Sequence, residues 1–160
     1  MIAGQEGGCD CGRIRYRLHA EPIVVKCCHC RACQRQSGSA FAVNLIIEAE
    51  HVELLGDAPE PGNLETPSGH GQQNMRCPSC KVSVWSVFNQ AGDKAFFMRG
   101  GTLDDTARLE PDLHIYTESK QPWVVIPEGA EVFEAFYSGR DVVRVFGEEN
   151  AARWKAVLSR

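Results

Sequence analysis

The chain has 160 residues, 43% of them hydrophobic and 24% charged, and a formal net charge of -4. That length suits one domain with its own core. Mild acidity with no basic stripe excludes an extended nucleic-acid footprint, and the lack of any run of eighteen apolar residues excludes a helical membrane span. The start, "MIAGQEGGCDCG", has neither the charged region nor the apolar core of a signal peptide. The expectation is a reducing, cytoplasmic setting in which cysteines persist as thiols or metal ligands.

Strand patterns dominate the first three quarters of the chain. "GRIRYRL" alternates, with Ile14, Tyr16 and Leu18 on one face and Arg13, Arg15 and Arg17 on the other. "AFAVNLII" predicts a mostly buried strand and "HVELL" a short one closed by Gly56 and Asp57. "GDAPEPGNLETPSGHGQQ" predicts a surface loop. "KVSVWSVF", "KAFFMRG" and "LHIYT" are rich in β-branched and aromatic residues and predict further strands. In the tail, "EVFEAFYSG" predicts a short helix stopped at Gly139. "EENAARWKAVLSR" predicts a second helix, with Ala151, Trp154, Val157 and Leu158 on one face. The fold class is therefore mainly β, with residues 1–130 as the β domain and 131–160 as a helical extension packed on it. Trp154 and Leu158 suit that packing and would equally serve a small homodimer contact.

Eight cysteines carry the chemical signal. Structural zinc takes four thiolates in a tetrahedron, commonly two from each of two segments. Cys9 and Cys11 in "CDC", with Cys77 and Cys80 in "CPSC", meet that requirement, and no βαβ pattern supports the redox alternative. Cys28, Cys30 and Cys33 form C-x-C-x-x-C, three ligands from one short loop. Such a set leaves an open fourth position, the mark of a catalytic or exchangeable zinc; Cys27 or His29 would instead close it. Adjacent side chains on extended backbone point opposite ways, so Cys27 is expected to be a buried apolar residue and His29 to face away.

Other polar residues have modest expected roles. His114 and Tyr116 alternate onto one strand face; a structural histidine is expected, with proton transfer as the alternative. Trp123 is expected in the core or, failing that, as a pocket wall. Asp104 and Asp105 are expected to form turns, and Gly38 to permit one; Ser37 and Ser39 are expected to bond local backbone.

These blocks together resemble the glutathione-dependent formaldehyde-activating enzyme family, which also includes the centromere protein V group. "CDCGRIRY" resembles the family's opening, "CHCRACQRQSGSAF" its central cysteine motif and "MRCPSC" the second half of its structural zinc site. "RGGTLDD" and "PDLHIYTESKQPWVVIP" resemble its closing segments. The resemblance runs from about Cys9 to Pro127. It implies small, curled, zinc-stabilised antiparallel sheets, a structural zinc on Cys9, Cys11, Cys77 and Cys80, and a labile catalytic zinc on Cys28, Cys30 and Cys33. Lys81 stands where the family usually has Gly, a residue that often supplies positive φ beyond a zinc knuckle.

A zinc ion on three thiolates can take a thiol as its fourth ligand and hold it as a thiolate beside a small aldehyde. The implied reaction joins glutathione to formaldehyde, formally a carbon–sulfur lyase run in reverse. Glutathione carries two carboxylates, and Lys26, Arg31 and Arg35 near the cysteine loop are candidates to bind them. The alternative is a non-catalytic zinc module that binds a thiol or a protein partner.

Overall fold

The computed structural model describes residues 1–66 and 69–159. In chain order its strands are β1 (Glu6–Gly8), β2 (Arg15–Leu18), β3 (Val24–Cys28), β4 (Ala42–Glu48), β5 (Val52–Leu54) and β6 (Glu60–Leu64). They continue with β7 (Gln72–Arg76), β8 (Ser83–Phe88), β9 (Ala95–Arg99), β10 (Leu113–Ile115) and β11 (Glu131–Val132). Helix α1 spans Arg31–Ser37, and α2 spans Val142–Ser159 with a break at Gly147, where φ is 78°. One small sheet runs β1-β2-β5 and one large sheet runs β11-β10-β3-β4-β9-β8-β7-β6. Pairing is antiparallel except at β10, which is parallel to both β3 and β11.

The large sheet is covered on both faces. On one, Ile14, Tyr16 and Leu18 of the small-sheet side are fully buried, as their alternation predicts, against Leu45, Ile47, Trp85 and Met98. On the other, Val24 and Ile46 pack under Tyr137, Phe146, Ala151 and Val157 of the C-terminal segment. Burial on both sides explains why β4 reads as a continuous apolar run instead of an alternation.

Two sequence expectations are corrected. "EVFEAFYSG" is not a helix: Glu131 and Val132 extend the large sheet beside β10, and the rest is irregular. Its aromatics are taken by tertiary packing, with Phe136 stacked on Tyr137 at 4.2 Å, which overrides a weak helical periodicity. The Gly/Pro-rich segment is not all loop, since it supplies β6 and the start of β7. Pro61 is accommodated because β6 is an edge strand, where a missing N–H costs no ladder bond. Pro67 and Ser68 of that segment lie outside the described residues.

The C-terminal helix is held to the sheet by Arg153, which donates to both oxygens of Glu48 at 2.8 and 2.7 Å and to the Glu21 carbonyl at 2.9 Å. Burial works against the Glu48 carboxylate, but the bidentate Arg153 contact holds its pKa below the ordinary value. A depressed carboxylate pKa stabilises the fold above the unfolded value, and that contribution is lost as pH falls through the folded one. We expect Arg153→Ala to destabilise the protein by about 2–3 kcal/mol at neutral pH by denaturant titration. The difference from wild type should shrink below about pH 4.

Candidate functional site

Cys9 and Cys11 lie between β1 and β2 of the small sheet, and Cys77 and Cys80 lie between β7 and β8 of the large one. The Cys9–Cys11 and Cys11–Cys77 sulfurs are 3.5 and 3.7 Å apart. A tetrahedron with zinc–sulfur bonds of about 2.3 Å needs sulfurs about 3.8 Å apart, so this group fits zinc. Backbone N–H groups favour thiolate at two of the four: Ile14 N donates to Cys9 Sγ at 3.3 Å, and donation from Val82 and Cys11 brings Cys80 down to about 6, whereas burial pushes Cys77 up to about 11. An ion held there would tie the two sheets together. Lys81 closes the turn with φ of 63°, and its N–H donates to the Cys77 carbonyl at 3.0 Å. Lys81→Gly should therefore stabilise the protein by about 0.5–1 kcal/mol, read as a raised denaturation midpoint. The exposed Lys81–Glu60 pair at 3.7 Å adds little to set against that gain.

Cys28 ends β3, Cys30 caps α1 and Cys33 lies within α1, so one short strand-to-helix turn brings the three sulfurs together. Cys30 Sγ accepts from Cys28, from Cys33 and from the backbone N–H groups of Cys33 and Ala32, which holds its thiol at about 2. Donation to Cys30 and Cys33, with burial, pushes Cys28 up. Cys30 is thus the readiest of the three to ionise, and a bound cation would draw off the protons of the others. Gln34 fixes the turn: its amide donates to the carbonyls of His29 at 2.7 Å and Ser119 at 2.9 Å, and its oxygen accepts from Gln121. Gly38 ends α1 with φ of 67°, and Ser37 donates to the Cys33 carbonyl.

The three cysteines open onto a cavity of about 710 Å³ between the large sheet and the C-terminal segment. Two cations line it beside them. Lys26 is 4% exposed, lies 5.1–5.3 Å from the rings of Phe97, Phe136 and Tyr137, and donates to Tyr137 Oη at 3.0 Å. Burial pushes its ammonium down to about 7, with Cys28 and Cys33 pulling the other way. Arg99 donates to Asn44 Oδ1 at 2.6 Å, Gln36 Oε1 at 2.8 Å and Ser86 Oγ at 3.2 Å. Neither cation pairs with a carboxylate among the described residues.

Residues 4–119 match the model of the glutathione-dependent formaldehyde-activating enzyme family. The chain belongs to that family. A Halomonas elongata protein provisionally named a glutathione-dependent formaldehyde-activating enzyme is 24% identical over 159 residues, covering 96% of this chain and 95% of its own. A crystal structure of a Rhodobacter sphaeroides protein aligns over 80% of this chain and 98% of its own, at 13% identity and a TM-score of 0.48.

The other residues singled out in this family member fall in several places. Arg31 and Arg35 are exposed on α1 and do not line the cavity. His114 does not face it either. On the opposite face of β3 from Cys28, His114 Nδ1 and His29 Nε2 are 3.0 Å apart, and Cys27 Sγ is 3.6 Å from His29 Nε2. These three ligand atoms also lie close enough together to hold a metal ion. Burial lowers the pKa of both histidines, to about 4 for His29, and His29 Nδ1 has no partner among the described residues. We assign the shared proton to His29 Nε2, which leaves a lone pair instead of an N–H without a partner at Nδ1.

Tyr116 does line the cavity, contrary to its expected alternation with His114, because its φ of 55° turns it to the other face. Trp123 is 72% exposed and belongs to neither core nor cavity. Asp104 pairs with Arg15, and Asp105 Oδ1 accepts from Ala107 N in a local turn, so neither is a catalytic carboxylate. Arg99 is the site residue that sequence reasoning missed. Its signal was a lone charge two residues beyond Phe97 on one face of an apolar strand.

No helix of the described residues is long and apolar enough to cross a membrane.

Proposed function

We propose that the protein is a zinc-dependent carbon–sulfur lyase-type enzyme that condenses glutathione, or a related thiol, with formaldehyde or another small aldehyde. The observation that carries this reading is the convergence of Cys28, Cys30 and Cys33 on a cavity that also holds two cations, the buried Lys26 and the half-buried Arg99, without carboxylate partners among the described residues. A zinc ion on the three thiolates supplies a fourth position for an incoming thiol and lowers its pKa.

Three thiolates exceed a divalent ion by one negative charge. The half-buried Arg99 guanidinium would offset that excess, which would keep the site receptive to a fourth thiolate. Lys26 is placed to meet a carboxylate of the thiol, with Arg31 and Arg35 left to attract an anion from solvent. In the bond-forming step the thiol sulfur attacks the carbonyl carbon, and the π pair moves to oxygen. Lys26 donates to Tyr137 Oη, so the Tyr137 hydroxyl proton is free to pass to that oxygen, with Lys26 replenishing it. Holding both reactants in one cavity removes the entropy cost of their encounter.

The test is exchange NMR on glutathione and formaldehyde with and without zinc-loaded protein. Accelerated exchange between free and adduct forms is expected. An exchange rate equal to the protein-free one, in protein that binds glutathione, would instead favour the non-catalytic thiol-binding module.

A further inference from the structure

The cavity is much larger than the smallest aldehyde requires. Formaldehyde has two heavy atoms and fills a volume on the order of one or two waters, at ~30 Å³ each. The cavity of about 710 Å³ is in the range of pockets for much larger molecules.

Its walls also differ in chemistry. The cysteine end carries Lys26 and Arg99, with the Phe136 and Tyr137 rings against Lys26, and the far wall is largely apolar: Val142, Val143, Trp154 and Leu158. That wall comes wholly from the C-terminal segment, beyond residue 119, where the family match ends. It faces Phe88 and Phe97 of the sheet, with the Phe97 and Trp154 rings 6.4 Å apart and edge-on.

Two of the wall residues are half exposed although they flank a concave surface: Val143 at 55% and Leu158 at 50%. Apolar side chains left wet at the mouth of a cavity gain most when a ligand covers them. Glutathione is a poor match for this wall. Its second carboxylate and its ammonium would find no hydrogen bond at Val142, Val143 or Leu158; among the described residues of α2, only the Trp154 indole, Lys155 and Ser159 bring polar groups to the cavity.

Resting on the thiol–aldehyde reading above, we infer that the C-terminal segment builds a subsite for an apolar substituent on the carbonyl carbon, so that the substrate class is aromatic or branched aliphatic aldehydes and not formaldehyde alone. The thiol keeps its anionic end at the Lys26 and Arg99 side, and the aldehyde's side chain lies between the sheet and α2. The reaction is balanced: a C–S bond forms, the C=O π bond opens, and the proton given up by the thiol is matched by the one gained at oxygen. Nothing is oxidised or reduced.

The test compares two stable thioether mimics of the adduct, S-benzylglutathione and S-methylglutathione, with glutathione itself, by calorimetric titration into zinc-loaded protein. We expect the benzyl compound to bind on the order of tenfold more tightly than the methyl compound. In the Val143→Ser/Leu158→Ser variant that ratio should fall below about threefold, in line with the smaller apolar area buried. Both sites are half exposed, so folding should survive, and Val143→Ser alone provides a second, milder variant. Equal binding of the two mimics by wild type, or a ratio unchanged in both variants, overturns the inference while glutathione binding keeps the thiol reading intact. Binding of none of the three compounds overturns both.

Discussion

Replacing Cys77 with serine is expected to cost several kcal/mol and to leave the protein largely unfolded at 37 °C, because a domain of this size has only about 5–15 kcal/mol of stability. The positions of the four sulfurs set this cost. Cys9 and Cys11 lie between strands of the small sheet and Cys77 and Cys80 between strands of the large one, so an ion held by them would fix one layer against the other. The small sheet has three strands of three to four residues each, too short to persist without that tie. Serine nearly keeps the volume of this fully buried position but removes a thiolate, and its hydroxyl is a poor ligand for zinc. A strong chelator should have the same effect on wild type. Far-UV circular dichroism and a urea titration read both outcomes. A Cys77→Ser protein that melts within a few degrees of wild type would show that core packing alone joins the sheets.

Cys30→Ser is expected to act on the other centre and to spare the fold. Zinc content should fall from about two ions per chain to about one, since three thiolates from one turn cannot hold the ion when the central one is lost. Cys30 is the right target because it receives the hydrogen bonds that favour its ionisation. Serine can still cap α1, where its hydroxyl accepts from the residue 33 N–H as the Cys30 sulfur does at 3.4 Å. The melting temperature should therefore change little while thiol binding is lost. A variant that keeps both ions would move the second centre elsewhere, for example to Cys27, His29 and His114 on the other face of β3.

Much of this was legible in the sequence, for physical reasons. The Ile14, Tyr16, Leu18 alternation fixed the face of β2, and the apolar run of β4 announced burial on both sides. Cysteine spacing grouped seven thiols into two sets, because ligands close in sequence can converge only through tight local turns. What sequence could not supply was long-range. Arg99 reaches the cysteines because β9 pairs with β4, a register no local pattern encodes. Tyr116 enters the cavity through a left-handed backbone that alternation arguments assume away. The segment after Glu131 reads as a helix, yet its aromatics are drawn into a cage around Lys26 that exists only once the chain has folded.

The central claim is that a thiol binds at Cys28, Cys30 and Cys33. Calorimetric titration of glutathione into zinc-loaded wild type, beside the Cys30→Ser variant, tests it most directly. The account predicts saturable binding by wild type that disappears in the variant. Equal binding by both proteins, or none by zinc-loaded wild type, would contradict it.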